Sequence, residues 1–325
     1  MSENVTHVAV CDDVARLAQH HAGVPGPFKQ VLAQHLNIAR LGSATRTADR
    51  WSAELIEWAR DNWPTASNGQ VKDSDEGGLT ATPERKLAFV LGALTHRAAD
   101  RLFKPIFQYC REQYGEETGI DCSIHCDVYV FNEVYGGGQG GGGKLDGGMG
   151  VPTSVENPYQ RAVFGASNGE AARRVEEYLR VLWQRALISM HTFSPDPQDM
   201  HGWLDRMFTN AQAFSINLEQ YRQAVEHPDP AKFKRYIEDT HSYDREDTLI
   251  QLARRVQRGE TPAAGEVEAA LGATTEQSSR YARALRKGLE YLLATGRLWR
   301  GEIDVAEAKK GFDVGVPERS LVFAG

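Results

Sequence analysis

Residues Arg85 to Pro105, RKLAFVLGALTHRAADRLFKP, decide how this chain is read. Thr82, Pro83 and Glu84, just before them, form a helix start, with proline at the first helical position where its missing N–H is not needed. The predicted helix runs to about Phe103. His96 and Asp100 are four residues apart, so both side chains leave one helical face about one turn from each other. Phe89, Ala93 and Phe103 lie on or near that face, which aims the histidine and the carboxylate at a core or a lined pocket. An unpaired buried carboxylate is costly, which leaves a salt bridge or a metal ion as its partner. The spacing alone keeps both open. Two ligands at i and i+4 can grip one ion, and an i,i+4 ion pair inside a bundle gives the same pattern.

Helical periodicity continues on both sides and strand-like alternation is scarce. Upstream, Val8 to Gln19 reads as a helix with Val10, Val14, Leu17 and Ala18 on one face, closed by Pro25, Gly26 and Pro27. Phe28 to Leu41 is a second helix ended by Gly42, with His35 among its core-facing residues, and Trp51 to Trp63 is a third. Thr65 to Thr82 is polar and aperiodic and reads as a surface loop. Downstream, Glu116 to Tyr135 is followed by helices at Gly169 to Met190, Met200 to Phe214, Leu218 to Glu226, Ala231 to Glu238, Thr248 to Arg258 and Gln277 to Thr295. The fold class is all-α, a helical bundle with long loops. Residues 1–245 read as the main helical domain and 246–325 as a helical extension packed on it.

The 325 residues carry 41% apolar and 25% charged side chains, which fits a globular protein and excludes wholesale disorder. A net charge of −7 and the lack of any nucleotide or nucleic-acid motif argue against a polyanion as partner. The start MSENVTHVAV lacks a secretory pattern, and the longest apolar run, Leu87 to Leu94, is far short of a membrane span, so the expected location is the cytoplasm. Ten of the 31 glycines fall between Gly136 and Gly150. Directly after the segment that holds His125, such a tract reads as a mobile flap over a site, the alternative being a linker. Cys122 and Cys126 flank His125, which makes a metal or redox site or two small buried thiols beside a histidine.

The helix around His96 resembles that of the zinc-dependent phospholipase C family, which shares its fold with the fungal single-strand nucleases. The nearest likeness is to the amino-terminal catalytic domain of glycosylphosphatidylinositol-specific phospholipase D. That group carries a helix of the form FLFG-x-x-x-H-x-x-x-D-x-x-x-H, matched here by Phe89, Val90, Leu91 and Gly92, then His96 and Asp100. Thr6, His7 and Val8 match its opening, Phe28 to Gly42 its second helix, and Asp49, Arg50 and Trp51 an aspartate followed by a His-Trp pair. His125 and Asp127 fall where a further histidine and acidic ligand are expected. The likeness covers about residues 5–135.

The resemblance implies phosphodiester hydrolysis at three zinc ions held by histidines and carboxylates. Position by position the match is incomplete. Lys104 stands for the histidine after Asp100, and Arg50 for the histidine before Trp51; neither ligates while protonated. Three zinc ions need roughly nine protein ligands. The candidates are His7, Asp49, His96, Asp100, His125 and Asp127 or Glu133, which suits one or two ions. Arg50 and Lys104 then supply cationic charge where metal charge is missing, and help clamp an anionic small-molecule substrate, with Asp49 as base or bridging ligand.

Three readings follow. The first is a metal-dependent hydrolase, of a phosphoester, with a reduced zinc site. The second is an enzyme of another reaction class on the same scaffold, with iron or manganese. The third is a non-catalytic, partner-binding descendant in which the cations pair with Asp49 and Asp100. His20, His21 and His191 read as cations at helix ends, and His201 and His241 as solvated. Trp183, Trp203 and Trp299 read as core or interface. The basic residues at 254, 255, 258, 280, 283, 286 and 287 suggest a partner or homodimer contact offset by neighbouring glutamates.

Overall fold

The computed structural model of the chain describes residues 4–43, 51–63, 82–115, 118–135, 220, 223–224 and 227–313. Among these residues the architecture is all-α and contains no strand. The helices are α1 (Asn4–His20), α2 (Gly26–Gln34), α3 (Leu36–Ser43), α4 (Ser52–Asp61), α5 (Pro83–Tyr114) and α6 (Thr118–Tyr135). After them come α7 (Pro230–Phe233), a π-helical turn (Lys234–Glu238), α8 (Thr248–Gln257), α9 (Glu266–Ala273), α10 (Arg280–Trp299) and α11 (Val305–Gly311). The helices read at Gly169 to Met190 and Met200 to Phe214, nearly all of Leu218 to Glu226, and the glycine tract 136–150 lie outside the described residues. So do His191, His201, Trp183 and Trp203.

Helix α5 is the axis. Its 32 residues span about 48 Å at 1.5 Å per residue. From Leu87 to Ile106 nearly every side chain is buried, because α1, α3, α4, α6 and α10 pack around it. The helix starts as the sequence suggests, with the Thr82 hydroxyl accepting from Arg85 N and Pro83 in the first turn. It does not stop near Phe103. Pro105 is inside the helix, where a proline removes one hydrogen bond and costs about 3 kcal/mol. The burial of Leu102, Phe103, Ile106 and Cys110 on either side outweighs that loss.

The second predicted helix is two. Its break is at His35, whose carbonyl accepts from Ile38 N and Ala39 N while its own N–H closes α2 on Val31 O. His35 is half-buried and sits at this joint, instead of being a core histidine. Gly42 stands one residue before Ser43, where α3 ends, close to where the sequence places a stop. It lies within α3, where a Cβ would run into the Phe89 carbonyl of α5, and a Cβ on Gly92 of α5 would run into the Ala39 carbonyl of α3. The two glycines let the helix backbones touch.

Helix α1 is the second buried rod, with residues 5–15 all buried. Two adjacent carboxylates on it are fully inside. Asp12 takes a two-pronged contact from Arg40 of α3, at 2.7 and 2.9 Å, and the Tyr135 hydroxyl of α6 at 2.9 Å. Asp13 takes Arg16 at 2.8 Å, the Tyr281 hydroxyl of α10 at 2.8 Å, and Arg254 of α8. Burial alone would push the Asp12 carboxyl up, but Arg40 holds it below the usual carboxylate range. These pairs tie α1 to α3, α6, α8 and α10.

The basic residues of the C-terminal part are used internally. Arg254 pairs with Asp13, Arg255 with Glu260 and Glu266, Arg258 with Glu260, Arg283 with Glu276, and Arg286 and Lys287 with Glu290. Trp299 packs edge-on against Phe28 and Trp63, and His241 is exposed. No helix among the described residues is long and apolar enough to cross a membrane.

Candidate metal centre

Three of the sequence candidates converge. His7 on α1 and His96 and Asp100 on α5 are buried, and one ligand atom from each lies within 4.8 Å of the others. The i,i+4 spacing puts His96 and Asp100 on the face of α5 that meets α1, and the His7 and His96 rings stack at 4.2 Å between centroids. His7 Nε2 is 3.0 Å from Asp100 Oδ1, and His96 Nε2 is 3.2 Å from Asp100 Oδ2.

The orientation of His96 is set by α3. Ser43 is the last residue of α3, so its carbonyl is one of those a helix end leaves unsatisfied. His96 Nδ1–H donates to it at 2.7 Å. A neutral imidazole with its proton on Nδ1 has a bare lone pair on Nε2. That nitrogen is buried and makes no hydrogen bond, although it is near the Asp100 carboxylate. Two electron pairs facing each other at 3.2 Å need a proton or a cation between them.

Lys104, one turn beyond Asp100, brings its ammonium to 2.7 Å from Asp100 Oδ2. Burial by itself would push the Asp100 carboxyl up, but His96 and His7 hold it well below the usual range. The carboxylate is therefore ionised, with Lys104 and the two imidazoles around it.

The other candidates stand elsewhere. Asp127 is fully buried and accepts from Thr6 N and the Thr6 hydroxyl, both at 2.8 Å. Thr6 is in the first turn of α1, so this carboxylate caps the helix end that carries His7. His125 donates from Nδ1 to the Asp121 carbonyl one turn back at 2.8 Å, and its ring edges meet Phe233 and Tyr236. The Asp121 carboxylate takes Lys232 Nζ and the Tyr236 hydroxyl, each at 3.0 Å. Burial pushes the His125 imidazole down. Glu133 is held by Arg245. Asp49 and Arg50 lie outside the described residues.

Sequence reasoning passed over four groups that shape the surroundings of these residues. Asp121 had a signal, being four residues before His125; Asp12 and Asp13 had one as adjacent acids in an apolar helix. The Ser43 carbonyl had none, because a backbone acceptor leaves no mark on residue identity. Comparisons with protein-family models, curated proteins and solved structures find no match to this chain.

Proposed function

We propose that the chain is a metal-dependent hydrolase acting on a phosphoester through a single ion held by His7, His96 and Asp100. One observation carries the reading: the buried Nε2 of His96 has no hydrogen bond while its Nδ1 is committed to Ser43. That is how a ligating histidine is prepared, with the second nitrogen fixing tautomer and ring orientation. One ligand atom from each of the three lies within 4.8 Å of the others, within reach of one ion, with the two imidazole nitrogens beside different oxygens of Asp100. Three protein ligands leave one place for water or substrate, the pattern of a catalytic site. A bound ion there would supply an acidic water and polarise a phosphoryl oxygen.

The chain's own residues do the rest. Asp127 fixes the first turn of α1 and thereby His7, and Ser43 fixes His96. Lys104 is 40% exposed at its side chain, so it reaches from Asp100 to solvent and meets the anionic oxygens of an incoming phosphoester. With His125 and Asp127 engaged elsewhere, the described residues provide for one ion.

Two observations favour other readings. The set of two histidines and one carboxylate also suits iron in an oxidative enzyme. The Lys104–Asp100 pair at 2.7 Å satisfies the carboxylate without any ion and favours a non-catalytic, partner-binding protein. Metal analysis of the purified chain, joined to hydrolysis of bis(p-nitrophenyl) phosphate, separates them. The hydrolase reading expects about one zinc per chain, and loss of both metal and turnover in His96→Ala. Stoichiometric iron without hydrolysis supports the second reading, and no stoichiometric metal supports the third.

A further inference from the structure

A cavity of about 100 Å³ opens between helix α10, the connection that leads into it from α9, and helix α5. Arg283, Arg286, Lys287 and Glu290 of α10 and Thr275 and Glu276 of the connection line it, with Leu102 of α5 as the apolar member. We propose that this cavity is a binding site for a phosphate group, free or carried by a small ester, gripped by Arg283, Arg286 and Lys287. It is separate from the cluster of His7, His96 and Asp100 and does not rest on the hydrolase reading. Leu102 is two residues beyond Asp100, so it leaves α5 about 200° round the helix, on the opposite side from that carboxylate.

Residues 283, 286, 287 and 290 recur at helical spacing, so they share one face of α10 and gather three cations there. Glu290 offsets two of them, taking Arg286 Nε at 2.8 Å and Lys287 Nζ at 3.2 Å. Lys287 is also 3.4 Å from Asp313, whose carboxylate takes the Tyr291 hydroxyl at 2.8 Å. Arg286 is held from a second side, its Nη1 donating to the Thr274 carbonyl at 2.5 Å. Its guanidinium is therefore fixed in place before a ligand arrives, which lowers the ordering cost of binding.

Arg283 is held differently. Its side chain is 16% exposed, whereas Glu276, the acid it meets, is 77% exposed and stands on the connection instead of a helix. An ion pair to so exposed a carboxylate is weak and readily exchanged for another anion. The contact with Glu276 uses Nη2, which leaves the Nε–H and Nη1 donors of the guanidinium for a further acceptor. Thr275 adds a neutral donor: its hydroxyl accepts from Gln277 N at 3.2 Å and keeps its own proton to give. Donors from four side chains on two elements suit the tetrahedral oxygens of a phosphate, while a planar carboxylate is satisfied by one arginine fork. Buried Leu102 gives the cavity a dry wall, and low local dielectric strengthens each charged contact. Binding therefore moves Glu276 out to solvent and puts a phosphate oxygen in its place on Arg283.

The test titrates the chelator-stripped full-length chain by calorimetry at low ionic strength, with inorganic phosphate in one arm and glycerol 2-phosphate in the other. One saturable site per chain in either arm supports the proposal, and the arm that binds tells a free phosphate from an esterified one. Arg283→Gln and Arg286→Gln, made separately, are each expected to weaken binding about tenfold or more. Glu276→Gln removes the competing carboxylate at an exposed position and is expected to tighten binding up to about fivefold, a readout that does not depend on the arginine variants folding. His96→Ala, which disables the proposed metal centre, is expected to bind phosphate as the parent does. No saturable binding in the millimolar range, full displacement by sodium chloride at matched ionic strength, loss of binding in His96→Ala, or an unchanged affinity in both Arg283→Gln and Glu276→Gln would overturn the proposal.

Discussion

Lys104 Nζ lies 2.7 Å from Asp100 Oδ2, closer to that carboxylate than the nearer of the two imidazole nitrogens, at 3.0 Å. An ammonium and a divalent ion compete for one oxygen when they sit this near. Screening by solvent at a lysine 40% exposed reduces the repulsion to about 1–2 kcal/mol. Lys104→Met is therefore expected to tighten zinc binding about tenfold, read by calorimetry on chelator-stripped protein, and to raise KM for an anionic phosphoester. Unchanged zinc affinity would mean that the lysine and the ion do not share Asp100.

The contact between α3 and α5 rests on Gly42 and Gly92, and it also carries the Ser43 carbonyl to His96. A methyl at Gly92 overlaps the Ala39 carbonyl, which is backbone and can move only with its helix. Gly92→Ala is expected to destabilise the fold by about 1–3 kcal/mol or more, measured by urea denaturation, and to weaken zinc binding as Ser43 recedes. A variant as stable as the parent would show that α3 shifts freely.

Arg40 is the cation that makes buried Asp12 tolerable. Removing it leaves an uncompensated carboxylate in the core, and Arg40→Ala is expected to cost about 3–5 kcal/mol. The double variant Asp12→Leu, Arg40→Met should recover much of that loss, since it removes the charge together with its partner. Equal loss in single and double variants would assign the effect to packing.

His125 is predicted to make stability fall in mild acid. Its folded-state value is lowered by burial, so near and below about 6.5 the unfolded chain binds more protons than the native one. Stability is complete above that value and is lost as pH falls from it toward the folded-state value. His125→Gln is expected to flatten this limb of the curve of denaturation midpoint against pH. His21, also lowered by burial, leaves a smaller slope in the variant. An identical curve in His125→Gln would remove this histidine as the cause.

Much of the fold was legible in residue patterns. The Thr82–Pro83 start of α5 and the helical nature of α1, α4, α6, α8 and α10 follow from caps and periodicity, which are local. The errors are local too. The reading that ends α5 near Phe103 falls short of Tyr114 because local pattern says nothing about the neighbours that bury the rest of the helix. Gly42 marks the end of α3 to within one residue, but the sequence does not show the facing backbone that also needs a residue without Cβ there. His35 sits in a periodic apolar pattern, yet the chain breaks there, since the backbone of α3 has to swing onto α5.

The site divides along the same line. The sequence by itself determined an all-helical chain and one helical face bearing His96, Asp100 and Lys104, because spacing within a helix fixes direction whatever surrounds it. Only the tertiary structure decided that His7 joins them while His125 and Asp127 do not. A residue on another helix is placed by how that helix packs, and α1 is held by its buried Asp12 and Asp13 pairs and its Asp127 cap. The orientation of His96 is likewise a tertiary fact, set by a backbone carbonyl at the end of α3, which two glycines and the Arg40–Asp12 pair hold in place.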